Sequence, residues 1–175
     1  MRLNTFENLF ADQLNDLYSA EQQLIQALPL MAEAASAPEL KQAFTKHLEE
    51  TKTHAETVKQ LLSSIGEKAG GEKCKGMEGL LKEGTEVVEK RGENAVKDAA
   101  LIASAQRVEH YEIAGYGTAR TFALQLGNNE AVNRLQEILN QEAKTDELLT
   151  KLATGEGSDV AINQEAASGN SNSKR

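Results

Sequence analysis

The chain has 175 residues, a net charge of −8 and a single cysteine. This length fits one domain, and an acidic chain without clustered Lys and Arg is a poor partner for nucleic acid or anionic membranes. One cysteine forms no internal disulfide, no apolar run approaches the ~18 residues that cross a bilayer, and the N-terminus lacks a signal-peptide pattern. We therefore expect a cytoplasmic protein with no nucleic-acid or membrane partner.

Strong helix formers dominate the composition, and the chain contains only 2 prolines and no tryptophan, which predicts an all-α fold. The first helix is predicted over residues 5–36, where apolar residues recur at steps of three and four. The second is predicted over residues 38–65. It begins at Pro38, a favourable first-turn residue, and stops at Gly66, a favourable C-cap.

A loop rich in Gly and Lys occupies residues 66–76, and a shorter helix is predicted over residues 77–90. Two further long amphipathic helices are predicted over residues 94–126 and 130–154. Four long helices with a short one between the second and third predict a four-helix bundle whose central connection carries an additional helix.

The last part of the chain differs in composition from the rest. From residue 155 onward the apolar periodicity is lost and small polar residues dominate. This pattern predicts a helical bundle over residues 1–154 and a disordered polar tail over residues 155–175.

Each of the four long helices carries one glutamate in or beside its apolar stripe. These residues are Glu21, Glu50, Glu112 and Glu142. Burying a charged carboxylate is costly unless a cation or hydrogen bonds compensate it, and carboxylates that converge on one region repel each other. A pair of divalent metal ions between the helices would resolve both problems.

The spacing of these glutamates suggests an internal duplication. Glu21 and Glu50 are 29 residues apart, and Glu112 and Glu142 are 30 apart. Residues 50–54 (ETKTH) also resemble residues 142–146 (EAKTD), so two helix pairs related by a pseudo-two-fold axis would place equivalent glutamates around one centre.

Other side chains are candidates for the same centre. His54 is either a ligand or a buried interface histidine, and Asp146 is its counterpart on the last helix. Glu109 adds a carboxylate ligand, supports a ligand by a hydrogen bond, or pairs with Arg107 or Lys97 on a solvated face. His47, three residues before Glu50, is expected either to support a ligand or to be structural. The candidate metal ligands are therefore Glu21, Glu50, His54, Glu109, Glu112, Glu142 and Asp146.

Two tyrosines, Tyr18 and Tyr111, lie near the expected centre, where they pack, hydrogen-bond a ligand carboxylate or act as a one-electron donor. No residue pattern identifies a catalytic side chain. Cys74 lies in a loop without a partner motif, so no catalytic role is expected for it.

This layout resembles that of ferritin-like di-metal carboxylate proteins, which project one Glu from each of two helices and a Glu-x-x-His pair from each of the other two. The chain departs from that motif at Thr53 and Thr145, which stand where the histidines are expected. His54 and Asp146 follow one residue later. A site with more oxygen and less nitrogen favours harder ions such as Mn²⁺ relative to Fe²⁺.

Several runs resemble the YciF-type family of bacterial ferritin-like stress proteins more closely. They are YSAE (18–21), HLEET (47–51), MEGL (77–80) and EHYEIAGYGT (109–118). The resemblance extends over about residues 4–154. It implies a helical bundle, a homodimer, iron binding and a link to the stress response.

Three functional hypotheses follow. The first is a di-metal, di-iron protein that oxidises Fe²⁺ with O₂ or peroxide as a ferroxidase- or peroxidase-type enzyme, served by an unidentified redox partner. Glu50 and Glu142 would then bridge or chelate the ions, while Glu21 and Glu112 would be terminal ligands. The alternative is a non-enzymatic helical stress protein with a degenerate or empty site that acts through dimerisation or partner binding. A cage-forming iron store is a third hypothesis, and it depends on assembly.

Overall fold

The computed structural model describes residues 4–157 and 159–169. In these ranges it contains six helices and no strand. The helices are α1 (Phe6–Ala34), α2 (Pro38–Ser64), α3 (Lys75–Glu89), α4 (Asn94–Gln125), α5 (Asn129–Thr154) and α6 (Ile162–Ser168). None of these helices is long and apolar enough to cross a membrane.

The four long helices form the predicted bundle. The most extensive contacts join α1 to α2 and α4 to α5, and the α1–α4 and α2–α5 contacts bring these two pairs together. The short helix α3 lies in the connection between α2 and α4 and packs on α4 and α1. The all-α fold with an additional helix in the central connection is therefore confirmed.

The helix ends follow local chemistry. Thr5 caps α1 by accepting a hydrogen bond at Oγ1 from the backbone N–H of Asn8, at 3.2 Å. Pro38 begins α2, and Gly66 adopts a φ of +80° just beyond its end, a left-handed conformation that suits glycine. Pro29 lies inside α1, which continues to Ala34.

A buried carboxylate fastens α4 to the turn between α1 and α2. Asp98 of α4 is 2% exposed. Its two oxygens accept hydrogen bonds from the backbone N–H groups of Ser36 and Ala37, at 2.8 and 2.7 Å. Ala37 is the N-cap of α2 and has no side chain that could cap the helix, so a residue 61 positions away supplies the cap.

The core consists of two apolar clusters, one on each side of a polar layer. One cluster contains the second half of α1, the first half of α2, the first part of α4 and the end of α5. The other contains the first half of α1, the end of α2, the second part of α4 and the start of α5. The layer between them crosses all four long helices near their middles, where the glutamates lie.

The segment after α5 differs from the predicted disordered tail. Residues 162–168 form α6, which packs on α4 and α5. Ile162 is 1% exposed and joins the first apolar cluster, and Val160 packs against that cluster. Two apolar side chains in a polar segment are too few to show helical periodicity, although they suffice to dock a short helix. Residues 158 and 170–175 of the predicted tail lie outside the described residues.

Candidate metal centre

Six titratable side chains converge in the polar layer, and each is at most 2% exposed. They are Glu21 of α1, His47 and His54 of α2, Glu109 and Glu112 of α4, and Glu142 of α5. Every long helix contributes at least one of them. Pairs on one helix are three or seven residues apart, so both members face the same side.

The six side chains form two groups of ligand atoms. The atoms of each group lie within 4.8 Å of one another. One group contains Glu21, His54 and Glu142, and the other contains His47, Glu109, Glu112 and Glu142. Each group therefore has one imidazole, and Glu142 belongs to both. Carboxylates and imidazoles that project inward from facing helices are compatible with metal binding.

The histidines contact these carboxylates directly. His54 Nδ1 lies 2.9 Å from Glu142 Oε1 and 3.6 Å from Glu21 Oε1. His47 Nε2 lies 3.3 Å from Glu109 Oε1 and 3.8 Å from Glu142 Oε2. Each imidazole thus directs one nitrogen toward two carboxylates.

Several buried oxygens in the layer have no hydrogen-bond partner. Among them are both carboxylate oxygens of Glu112 and the Oε2 atoms of Glu21 and Glu109. An unpartnered buried polar atom costs roughly 1–3 kcal/mol, and more when it is charged. Oxygen ligands that converge without partners on two imidazole nitrogens fit a pair of bound cations.

The pKa values of the carboxylates show what this burial does without a cation. Burial is the main cause that raises the pKa of Glu112 well above its usual value, and the neighbouring charges of Glu142 and Glu21 raise it further. Burial also raises the pKa of Glu109 to about 7, although His47 opposes the rise. For Glu142, burial is outweighed by the two histidines, and its pKa is lowered.

The pKa values of both histidines are raised by the neighbouring carboxylates. Burial alone would lower the pKa of His54, but hydrogen bonds and charge from Glu142 and Glu21 raise it to about 10. Burial of His47 is likewise outweighed by Glu109, and its pKa lies well above the usual value. A metal-free layer therefore holds protons on both imidazoles and on some carboxylates.

The outer nitrogen of each imidazole faces the α2–α5 side of the bundle. His54 Nε2 lies 2.6 Å from Gln141 Oε1, and His47 Nδ1 lies 3.4 Å from Thr145 Oγ1. Such contacts to the outer nitrogen orient a ligating imidazole and select its tautomer. They leave Nδ1 of His54 and Nε2 of His47 as the nitrogens that face the carboxylates.

Five of the seven predicted ligands meet in this layer, and two do not. Those that meet are Glu21, His54, Glu109, Glu112 and Glu142. The side chain of Glu50 is 23% exposed and pairs with Lys46 at 2.9 Å. Asp146 accepts a hydrogen bond from Gln106 at 3.0 Å and lies 3.4 Å from the exposed His110. Both carboxylates therefore lie outside the two groups.

The structure adds His47, which sequence analysis treated as a supporting residue. Successive helical residues are rotated by about 100°, so His47, Thr51 and His54 share the buried face while Thr53 is exposed. A histidine at position 53 would point away from the layer. The seven-residue spacing of the two histidines is the sequence signal for this face.

The structure also adds Tyr116, one turn after Glu112 on α4. Its hydroxyl is fully buried and donates a hydrogen bond to Glu21 Oε1. Tyr111 lies elsewhere: its hydroxyl donates to Asp16 Oδ2 at 2.7 Å and contacts the Cys74 sulfur at 2.9 Å. Tyr18 packs against the second apolar cluster. Tyr116 is therefore the tyrosine in contact with the layer.

Comparison with known proteins places the chain in one sequence family. A family model described as a domain of unknown function (DUF892) matches residues 5–167. Protein YciF of Escherichia coli (strain K12) is 49% identical over 154 residues, which cover 87% of this chain and 93% of that protein.

Solved structures agree with this result. The crystal structure of the E. coli stress protein YciF matches with a TM-score of 0.83 over 86% of this chain and 96% of that chain. A putative structural protein from Rhodopseudomonas palustris, 41% identical, matches with the same TM-score and coverage. Ferritin-like diiron-carboxylate proteins from Bacillus anthracis, 18% identical, match with a TM-score of 0.67 over 86% of this chain and 99% of theirs. The last match shows that the fold is ferritin-like.

Proposed function

We propose that this chain, which belongs to the DUF892 family, binds two divalent metal ions, with iron as the expected metal, and oxidises Fe²⁺ with O₂ or peroxide as part of a stress response. The observation that carries the proposal is the pair of buried ligand groups that share Glu142. The stress role is taken from the relative in E. coli, which is described as a stress protein.

Charge balance supports two divalent ions. The layer contains the four carboxylates of Glu21, Glu109, Glu112 and Glu142 and two imidazoles. With the carboxylates ionised and the imidazoles neutral, two divalent cations make the buried layer electrically neutral. Bound cations would offset the desolvation and repulsion that otherwise raise the pKa values of Glu21, Glu109 and Glu112.

The donor set supports iron. One imidazole and two or more carboxylates per group is a mixture that suits Fe²⁺, and the majority of oxygen donors also accommodates Mn²⁺. The sequence predicted a site with few nitrogen ligands, because Thr53 and Thr145 stand where histidines are expected. In the structure α2 alone brings one histidine to each group, His47 and His54.

The residues of the chain have separate roles in this proposal. Glu142 would bridge the two positions, while Glu21, Glu109 and Glu112 would be terminal ligands. Bound iron would supply the one-electron chemistry for O₂ or peroxide. Tyr116 would hold Glu21 in place through its hydrogen bond, and the two apolar clusters would keep bulk water out of the layer.

Anaerobic titration of chelator-treated protein with Fe²⁺ tests the proposal. We expect two ions per chain and oxygen consumption when air is admitted. Fe²⁺ at about 100 times its dissociation constant should stabilise the native state by about 2.7 kcal/mol for each bound ion, which corresponds to a rise in Tm of roughly 5–10 °C per ion. Protein that binds no Fe²⁺ and melts at the same temperature with and without it would contradict the proposal.

One observation favours a second candidate, a non-enzymatic helical stress protein. The metal-free layer can reach neutrality by protonation, because the pKa values of both histidines and of Glu112 and Glu21 are raised. A relative of 41% identity is also described as a putative structural protein. This candidate predicts an unchanged Tm with Fe²⁺ or Mn²⁺ and no oxygen consumption.

The stability of the metal-free protein is expected to fall as the pH rises from 5 to 8. The pKa of Glu109 is about 7 in the folded state against an ordinary 4.5, so its stabilising contribution is complete below pH 4.5 and is lost as pH rises through 7. Metal ions replace these protons, and each displaced proton makes binding about tenfold tighter per pH unit.

Thermal unfolding with and without Mn²⁺, at pH 6 and pH 8, measures this linkage. The rise in Tm caused by Mn²⁺ should be larger at pH 8. An equal rise at both values would mean that metal binding displaces no protons from the layer.

The proposal also includes a homodimer, which the family resemblance implies, and a redox partner that returns electrons to the site. Gel filtration distinguishes a dimer from a monomer or a cage.

A further inference from the structure

The buried layer raises the question of how a cation reaches it. All six side chains of the two ligand groups are at most 2% exposed, so none of them can take an ion directly from solvent. Along the bundle axis, the two apolar clusters lie on both sides of the layer. A hydrated cation would lose its water in either cluster without gaining a ligand, which is prohibitively costly.

The side of the bundle between α1 and α4 is also closed. Gly115 of α4 lies against Leu17 of α1 so closely that a side-chain carbon added at Gly115 would be 2.8 Å from Leu17 Cδ2. The contact between Gly115 and Leu17 is apolar and tightly packed. The polar atom beside it is the amide nitrogen of Gln13, 3.8 Å from the added carbon, and an amide N–H₂ group is a donor that does not bind a cation.

The side between α2 and α5 has the opposite character. The polar groups beside the layer on this side include Gln141, Thr145 and Glu50, of which Gln141 is exposed and the other two are half-buried. Gln141 and Thr145 contact the outer nitrogens of the two histidines. Glu50 Oε2 lies 3.9 Å from His47 Nδ1. Glu50 thus supplies a charged oxygen between solvent and the layer.

Lys46 completes this arrangement. Its ammonium group lies 2.9 Å from Glu50 Oε1, and its side chain is 69% exposed. An exposed lysine pair contributes little to stability and exchanges readily with solvent. A divalent cation can therefore replace Lys46 at the carboxylate at low cost.

Resting on the proposed function, we propose that Glu50 is the entry ligand of the metal centre: it takes a divalent cation from solvent in exchange for Lys46 and passes it between α2 and α5 to His47 and Glu142. The atoms that receive the ion are His47 Nε2 and the unpartnered oxygens behind it. In this role Glu50 acts on the passage of the ion, and the resident ligands hold it.

Stopped-flow mixing of the chelator-treated full chain with Co²⁺, followed by visible absorption, tests the entry role. Removing a charge that steers ions lowers association rates by about tenfold or more, so E50Q should slow association about tenfold. An entry ligand acts in both directions, so release of Co²⁺ into excess chelator should slow equally and the equilibrium affinity and stoichiometry should stay unchanged. K46Q should accelerate association.

The chain offers matched controls on the same helix. Glu49 pairs with Lys52 at 2.6 Å, and their side chains are 69% and 48% exposed. E49Q and K52Q make the same changes of net charge as the test variants, and their association rates should stay within about twofold of the unaltered chain. Circular dichroism and Tm verify that all four variants fold.

Three other results would overturn the entry role of Glu50. Equal association rates for E50Q and E49Q would overturn the entry role. Faster release and lower stoichiometry in E50Q would make Glu50 a resident ligand and would also overturn it. Absence of Co²⁺ binding in the unaltered chain would overturn the proposed function itself, and the entry role with it.

Discussion

Substitution of Glu142 by alanine is expected to abolish binding of both metal ions. Glu142 is the one side chain common to the two ligand groups, and its oxygens face His54 at 2.9 Å and His47 at 3.8 Å. We expect the affinity of each group to fall by more than about 100-fold, beyond the 10–100-fold typical of residues that only orient a ligand. Oxygen consumption with Fe²⁺ should be lost as well.

Substitution of a ligand that belongs to only one of the two groups should affect only one ion. Glu21→Ala should remove one ion, and Glu109→Ala should weaken the other, with metal content measured after equilibrium dialysis against Mn²⁺. Glu142→Gln preserves the side-chain volume and should lose both ions while the chain stays folded. Glu147→Ala is the matched control, because Glu147 lies on the same helix and pairs with Lys151 at the surface. Two bound ions in both Glu142 variants would exclude a shared bridging ligand.

Asp98→Ala is expected to destabilise the fold by about 3 kcal/mol, because it removes two hydrogen bonds from a buried carboxylate to the backbone N–H groups of Ser36 and Ala37 in the α1–α2 turn. For a chain of this size the loss corresponds to a decrease in Tm of roughly 10 °C. Chemical denaturation of the metal-free protein measures the free energy of unfolding without a contribution from the ions.

Two further variants test whether the lost hydrogen bonds cause this destabilisation. Asp98→Asn keeps one acceptor oxygen and should cost about half as much. Glu93→Ala removes an exposed carboxylate at the N-cap of α4 that makes no side-chain cap hydrogen bond, and it should change stability by less than about 0.5 kcal/mol. If Asp98→Ala and Glu93→Ala were equally stable, the cap from α4 would contribute nothing.

The layer contains charged and polar side chains at positions where apolar packing would stabilise the fold most. The layer lies in the middle of four long helices, where apolar residues would pack best and would stabilise the fold most. It instead contains four carboxylates and two imidazoles. Natural sequences depart from local rules mainly at functional sites, so the layer is expected to be less stable without metal than with it.

The sequence by itself determined the helices and most of the layer. Helical periodicity depends on neighbours three and four residues apart, so helix bounds and the apolar stripes were readable without tertiary contacts. Glu21, Glu112 and Glu142 occupy positions in those stripes where an apolar residue would otherwise stand. They were therefore predicted correctly as residues that face the bundle interior, as their burial shows.

Only the tertiary structure decided which side of α2 faces the layer and what docks after α5. Successive helical residues are rotated by about 100°, so Thr53 points away from the face that carries His47 and His54. Glu50 lies at the edge of that face, and its position in the sequence does not reveal whether its side chain points to the layer or to solvent. Asp98 and Ile162 find their partners in distant parts of the chain, at separations that no local pattern encodes. The packing of α2 against α5 placed His47 in the layer, left Glu50 at its edge and excluded Asp146.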